Sequence, residues 1–170
     1  EKEGIRVRAR ISQIANISDA PMDSVHPDLD AISSSELAVV SIEAGNAMRE
    51  AILEAKSDCD SVGGVIECFS TGLPAGLGDP MFDGVENRLA RILWGIPAVR
   101  GVEFGAGFAA ASMRGSEHND AWRICDRSIV SETNRHGGVL GGITTGMPLV
   151  VRVAIKPTPS IAMQQQSVSL

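Results

Sequence analysis

Apolar and polar positions alternate at the start of the chain, where Ile5, Val7, Ala9 and Ile11 are interleaved with Arg6, Arg8, Arg10 and Ser12. A period of two predicts a half-buried strand, here with one apolar and one cationic face. The cationic face is most simply a solvated one; its functional alternative is a subunit contact or the rim of an active site. Periodicity fails between Asp19 and Ser35, where Pro21, Pro27 and Ser33-Ser34-Ser35 interrupt it. That stretch is expected to be a surface connection without chemistry. A helical period returns over Ile42 to Lys56: Ala47, Met48, Ala51, Ile52 and Ala55 share one face, and Arg49, Glu50 and Glu54 another. Lys56 falls near the C-terminus, where the macrodipole favours a cation.

Ser57 to Gly64 reads as a turn into a strand, Val65-Ile66-Glu67-Cys68-Phe69, of β-branched and apolar residues. Gly72 to Pro80 holds three glycines and two prolines in nine residues, a shaped loop rather than regular structure. The best helical period follows in Phe82, Val85, Leu89, Ile92, Leu93 and Ile96, with Asp79 or Asp83 as the expected N-cap and Pro97 as the stop. A strand from Ala98 to Phe104 leads into Gly105-Ala106-Gly107, and Leu149, Val151, Val153 and Ile155 mark a last strand. The order of elements suggests α/β or α+β, with helices packed on antiparallel sheet, in a single domain spanning residues 1–170.

Composition narrows the function classes. At 170 residues and 44% hydrophobic the chain can bury a core, and it has no apolar run long enough for a membrane helix. Glu1-Lys2-Glu3-Gly4 does not resemble a signal peptide, so the expected location is cytoplasmic, with no membrane partner. The three cysteines form no Cys-x-x-Cys pair. A net charge of −6 without a basic run argues against nucleic-acid binding, so an anionic ligand would need a local site.

Candidate chemistry concentrates late in the chain. Asn134 to Gly146 is glycine-dense and is followed, after the last strand, by Lys156-Pro157-Thr158-Pro159-Ser160. Glycines let main-chain N–H groups converge on an anion, and one lysine with two hydroxyls suits a phosphate. Taken alone, such a run is more often a set of turns. A rival is Gly105-Ala106-Gly107-Phe108-Ala109-Ala110, which satisfies a dinucleotide (NAD-type) fingerprint after a predicted strand, with Asp126 as the ribose carboxylate. Phe108 to Arg114 leaves little room for the crossover helix that fingerprint needs and could be another strand. His118, beside Glu117 and Asp120, lacks histidine spacing for a metal site, and none is expected. Ser116, Asp120 and His136 could be drawn as a triad, yet Gly-x-Ser-x-Gly is absent.

Several motifs together resemble the chorismate synthase family: Asp60 to Gly64, Gly72 to Asp83, Ile96 to Gly105, Gly115-Ser116 with Asn119-Asp120, Asn134 to Gly142, and Lys156 to Ser160. The resemblance implies a layered α+β sandwich of helices packed against antiparallel β-sheets. It also implies a lyase that removes phosphate from 5-enolpyruvylshikimate 3-phosphate to give chorismate, in the shikimate pathway of aromatic amino-acid biosynthesis. The reaction is a 1,4-anti elimination that uses reduced FMN without net redox change, with NADPH as an external or intrinsic flavin reductant. The enzyme would be a homotetramer. Carried over by position, the FMN contacts are Pro97, Ala98, Gly141, Lys156, Pro157, Thr158, Pro159 and Ser160, with Asn134 a weaker candidate. The family's proton-handling histidines, arginine run and late carboxylate motif have no counterpart in this sequence. No catalytic residue is therefore assigned, and an internal portion, inactive alone, is expected; a non-catalytic assembly module is a separate alternative. Two departures stand out: Cys59 replaces a usual glycine, and Arg135-His136 replaces a small residue, with His136 expected to narrow the flavin pocket.

Overall fold

A computed structural model describes residues 4–126 and 128–168. Glu1 to Glu3, on which the leader expectation rested, and Ser169 and Leu170 lie outside the described residues. The elements are β1 (Arg6–Ile14), β2 (Ile17–Ser18), α1 (Ile42–Ser57), β3 (Gly64–Thr71), α2 (Val85–Leu93), β4 (Val99–Phe104), α3 (Gly115–His118), β5 (Trp122–Cys125), β6 (Ser128–Ser131), β7 (Val139–Leu140), β8 (Ile143–Thr144) and β9 (Leu149–Ile155). Five strands form one antiparallel sheet in the order β2-β1-β3-β9-β4; β5-β6 and β7-β8 are separate hairpins. The α+β expectation holds, as do the long strands and α1.

The faces of the sheet invert the simplest expectation. Cross-strand partners share a face, so the register places Arg10, Glu67, Arg152 and Glu103 in one row across β1, β3, β9 and β4. This charged row is covered, with Arg10 only 4% and Glu67 7% exposed. The opposite, apolar face is covered at β9, where Val151 and Val153 are each 7% exposed, but is left partly open at β1 and β3, where Val7 remains 59% and Ile66 41% exposed. The segment between β2 and α1 explains the reversal. Instead of running over the surface, it folds across the charged face, where Leu29 and Met22 pack on Phe69 and Val150. Alternation reports two different faces but not which of them will be covered.

Asp19 ties that segment down. Arg10 Nη1 donates to Asp19 Oδ2 at 2.8 Å and to the carbonyl of Ala20 at 2.5 Å, while its Nε and Nη2 reach Glu67 Oε2 at 2.9 and 2.8 Å. Burial pushes the Asp19 carboxyl up. The amides of Val40, Ser41 and Ala20, together with Arg10, outweigh burial and hold it below its ordinary value. Ser41 in turn caps α1, accepting from Ala44 N–H at 3.1 Å. The helix buries Met48 and sets Ile52 and Ala55 against Ile11, Ile66 and Ile155, leaving an apolar groove of about 430 Å³ between them.

Two local expectations are corrected. The N-cap of α2 is Gly84, without a side-chain bond, because a short 3₁₀ turn over Met81–Asp83 precedes the helix; neither Asp79 nor Asp83 caps it. The helix ends at Leu93 and tightens through the Ile96 N–H bond to Leu93 before Pro97 is reached. Val85, Leu89 and Leu93 are half-buried, while Ile92 is 68% and Phe82, on the preceding turn, 86% exposed.

Replacing Arg10 with methionine strands Asp19 and Glu67 without their cation. Breaking a buried pair from one side costs about 3–5 kcal/mol, so urea denaturation should show a loss of that order. Cys59 sits just past the C-terminus of α1 with φ +59°, a conformation glycine adopts without the Cβ penalty. Cys59→Gly should therefore stabilise the chain by about 0.5–1 kcal/mol in the same measurement, since the carbonyl that accepts from Ala162 and Met163 is backbone and survives the change.

Candidate functional site

At the end of the sheet where β9 finishes, three motifs meet. Lys156 N–H donates to the Ala98 carbonyl at 2.9 Å, joining the residue before β4 to the residue after β9. Ser61 Oγ donates to the Thr158 carbonyl at 2.7 Å, and a Cβ on Gly63 would press on Pro157 Cδ at 2.9 Å. The Asp60-Ser61 turn thus backs the Lys156 to Ser160 run. Ala98 has φ +71°, a strained backbone costing on the order of 1–3 kcal/mol. Pro97, Pro157, Thr158, Pro159 and Ser160 are exposed, and Lys156 and Ala98 are half-buried. The side chains of Lys156, Thr158 and Ser160 make no hydrogen bond among the described residues.

Gly141 lies elsewhere. It forms the two-residue turn of the β7-β8 hairpin with Gly142, at φ +58° and +86°, and a Cβ added to Gly141 would project into open space. Val85 N–H donates to the Gly142 carbonyl at 2.9 Å, so this hairpin sits at the N-terminal end of α2, whereas Pro97 and Ala98 follow the C-terminal end. A nine-residue helix separates them by roughly 14 Å at about 1.5 Å per residue. The hairpin is knitted to the Gly72 to Pro80 loop by Thr144, whose Oγ1 accepts from Leu77 N–H and donates to the Pro74 carbonyl.

Asp120 shapes the segment leading into that hairpin. Its carboxylate accepts from the amides of Arg135 and His136 at 2.9 and 3.0 Å and from the Thr133 hydroxyl. Burial raises the Asp120 carboxyl, but Thr133, the two amides and His136 together hold it low. Asn134 spends its side chain on the carbonyls of Ser24 and Pro148 and on Gly138 N–H, so it is fully used in holding the fold. His136 is buried, stacks on Trp122 at 6.0 Å, accepts Gly138 N–H on Nδ1 at 2.8 Å and turns Nε2 towards Asp120 at 3.4 Å. It points into the protein and is an internal strut, contrary to the expectation that it would narrow a ligand pocket. Burial, with His118 adding to it, lowers its pKa despite Asp120.

The backbone of Gly137 runs so close to Gly105 that a Cβ on Gly105 would enter the Arg135 carbonyl, and one on Gly137 the Gly105 amide. Gly105 has φ +53° and Gly137 φ +67°. The Gly105 to Ala110 fingerprint therefore serves packing rather than a dinucleotide. After β4 comes a 3₁₀ turn over Gly107–Ser112, not a crossover helix and not a strand, and β4 pairs antiparallel with β9, whereas a dinucleotide fold needs a parallel βαβ unit. Asp120 and His136 do meet, but Ser116 is exposed on α3 and takes no part. Among the described residues no cluster of His, Cys, Asp or Glu could hold a metal ion.

The charged row floors a groove that sequence reasoning missed. Arg152 Nε stands 2.6 Å from Glu103 Oε1, with its N–H not aimed at the oxygen, so the contact is ionic; its Nη2 donates to the Gly105 carbonyl at 2.8 Å. Matching parity of opposite charges in the strands, Arg10 with Glu67 and Glu103 with Arg152, was the available signal.

Comparison with known proteins gives one answer. The family model described as chorismate synthase matches residues 1–170. The chorismate synthase of Thermococcus kodakarensis is 47% identical over 171 residues, covering 100% of this chain and 46% of the relative. That of Lancefieldella parvula is 39% identical over 181 residues, covering 99% and 48%. A solved structure titled as a crystal structure of chorismate synthase superposes with TM-score 0.84 at 32% identity, over 91% of this chain and 50% of that one. The chain spans about half the length of the relatives it matches.

Because His136 is held neutral, its contribution to stability is complete above the unfolded histidine value of 6.5 and is lost as pH falls below it towards the lowered folded value. Asp120 acts in a separate window, below its ordinary 3.8. Urea midpoints measured from pH 7.5 to 5 should fall for the parent chain, and His136→Asn should flatten that slope.

Proposed function

The chain belongs to the chorismate synthase family, and from that premise we propose that it forms the flavin-binding side of an enzyme converting 5-enolpyruvylshikimate 3-phosphate to chorismate and phosphate by 1,4-anti elimination. The observation that carries this reading is the Lys156 to Ala98 backbone bond. It draws together two segments that the family resemblance assigns to FMN, and the Ser61 contact to Thr158 braces them. The unengaged donors of Lys156, Thr158 and Ser160 fit a phosphate, since charge-assisted bonds from an ammonium and two hydroxyls replace the water it loses.

Reduced FMN, when bound, supplies the electron density that assists departure of an allylic phosphate. The chain's own residues orient it. Lys156 and the Thr158 and Ser160 hydroxyls hold the cofactor phosphate, the exposed Pro97-Ala98 turn permits close approach, and Gly141, at the other end of α2, meets a more distant part of the same ligand. Pro157 and Pro159 stiffen the run so that less freedom is lost on binding. Proton transfer falls to the half of the family fold not contained in this sequence. We infer a homotetramer for the assembled enzyme and NADPH as the source of flavin electrons. An assembly module without flavin is the second reading, favoured by the open apolar positions Val7, Ile66 and Phe82.

Calorimetric titration with FMN, alone and after assembly with the complementary half of the Thermococcus kodakarensis relative, tests the proposal. FMN should bind saturably to the assembled protein, NAD should not, and chorismate should form only with both halves present. Lys156→Ala should weaken FMN at least tenfold, as loss of a charged hydrogen bond of about 1.5–3 kcal/mol requires. Undiminished FMN affinity in that variant would remove Lys156 from the site, and assembly without any flavin binding would leave the second reading.

A further inference from the structure

On the charged face, a cavity of about 290 Å³ lies between the sheet and the segment after β4, and it adjoins the groove floored by Arg10, Glu67, Arg152 and Glu103. Met22, Phe69, Met113 and Val150 give it apolar walls, and Glu67 and Arg152 of the charged row also line it. The charges of the groove are matched within the protein. Arg10 is neutralised by Asp19 and Glu67, and Arg152 by Glu103 at 2.6 Å and more distantly by Glu67 at 3.9 Å. Arg135 also lines the cavity and is half-buried, yet its side chain has no hydrogen bond or ion pair among the described residues.

A half-buried guanidinium with no acceptor in the protein keeps its five donors for whatever enters the cavity. Its position is fixed rather than accidental. The Arg135 amide is held by Asp120 at 2.9 Å, its carbonyl accepts from Ala106 N–H at 2.7 Å, and Asn134 and His136 on either side are both anchored. The backbone that carries the guanidinium is thereby held in one place beside the cavity.

We propose that this cavity is an anion-binding site in which Arg135 receives a carboxylate or phosphate group whose apolar body rests on Met22, Phe69 and Val150. The planar fork of arginine suits either oxyanion in a bidentate pair. The site lies on the charged face of the sheet and calls for no flavin, so it stands or falls separately from the Lys156 site.

The probes are inorganic phosphate and benzoate, titrated into the 170-residue chain in chloride buffer while the Arg135 Nε–H and the Ala106 amide are followed by NMR. Saturable shifts with at least one probe are expected; phosphate alone or benzoate alone identifies the preferred oxyanion. Arg135→Gln should weaken that probe at least tenfold and Arg135→Lys by less, while Arg91→Gln, on the solvent face of α2, should leave affinity unchanged. The Gly138 amide shift, which reports the His136 and Trp122 packing, shows whether each variant is folded, and the lysine variant carries the test if the glutamine one is not. No saturable shift with either probe would overturn the proposal, as would equal affinity in folded Arg135 variants.

Discussion

A guanidinium enclosed by two carboxylates allows the charged side of the sheet to be covered as well as the apolar one. Arg10 cannot be covered without Asp19 and Glu67, because an unpaired buried charge costs several kcal/mol. Asp19 reaches Arg10 only if the chain after β2 folds back over the charged face. That fold brings Leu29 and Met22 onto Phe69 and lets Asp19 accept from Val40 and Ser41, which lead into α1. In the other direction the row continues through Arg152 to the carbonyl of Gly105, where the glycine segment packs. One line of electrostatic contacts therefore connects the first helix to the most unusual backbone of the molecule.

The strand order then separates two chemistries. The end of β9 carries Lys156 to Ser160 beside Ala98, with polar side chains left free. The beginning of β9 meets Gly137 and Gly138, where nearly every polar group is committed to the fold. Glycine density and unengaged polar side chains are thus found at different places in this chain. Much of the Asn134 to Gly146 run lets backbones approach one another, whereas Gly141 and Gly146 present bare main chain to solvent.

Sequence periodicity revealed the elements better than their environment. The 3.6-residue spacing from Ile42 and the alternation from Leu149 found α1 and β9 because side-chain spacing is local. The covered face of β1 was not legible, since it depends on Asp19 and Glu67, residues 9 and 57 positions away from Arg10. The α2 start was misjudged because the 3₁₀ turn ahead of it takes the place of a side-chain cap. The grouping of Ala98 with Lys156 to Ser160 was visible only through family resemblance. No local pattern predicts that residues 58 positions apart will share a backbone bond. His136 was misplaced for a similar reason: a bulky residue next to glycines suggests an obstacle, whereas Trp122 and Asp120 give it an interior berth.

The Gly105 and Gly137 contact has a consequence for how such a sequence can drift. Each residue fills the space that the other's side chain would need, so a change at one is not rescued by shrinking the other, which already has nothing to give up. Both positions are also at positive φ, which removes the usual detour through alanine. The two glycines form a closed corner of sequence space: a lineage can repack the aliphatic walls around them, but it can leave that corner only by moving a strand.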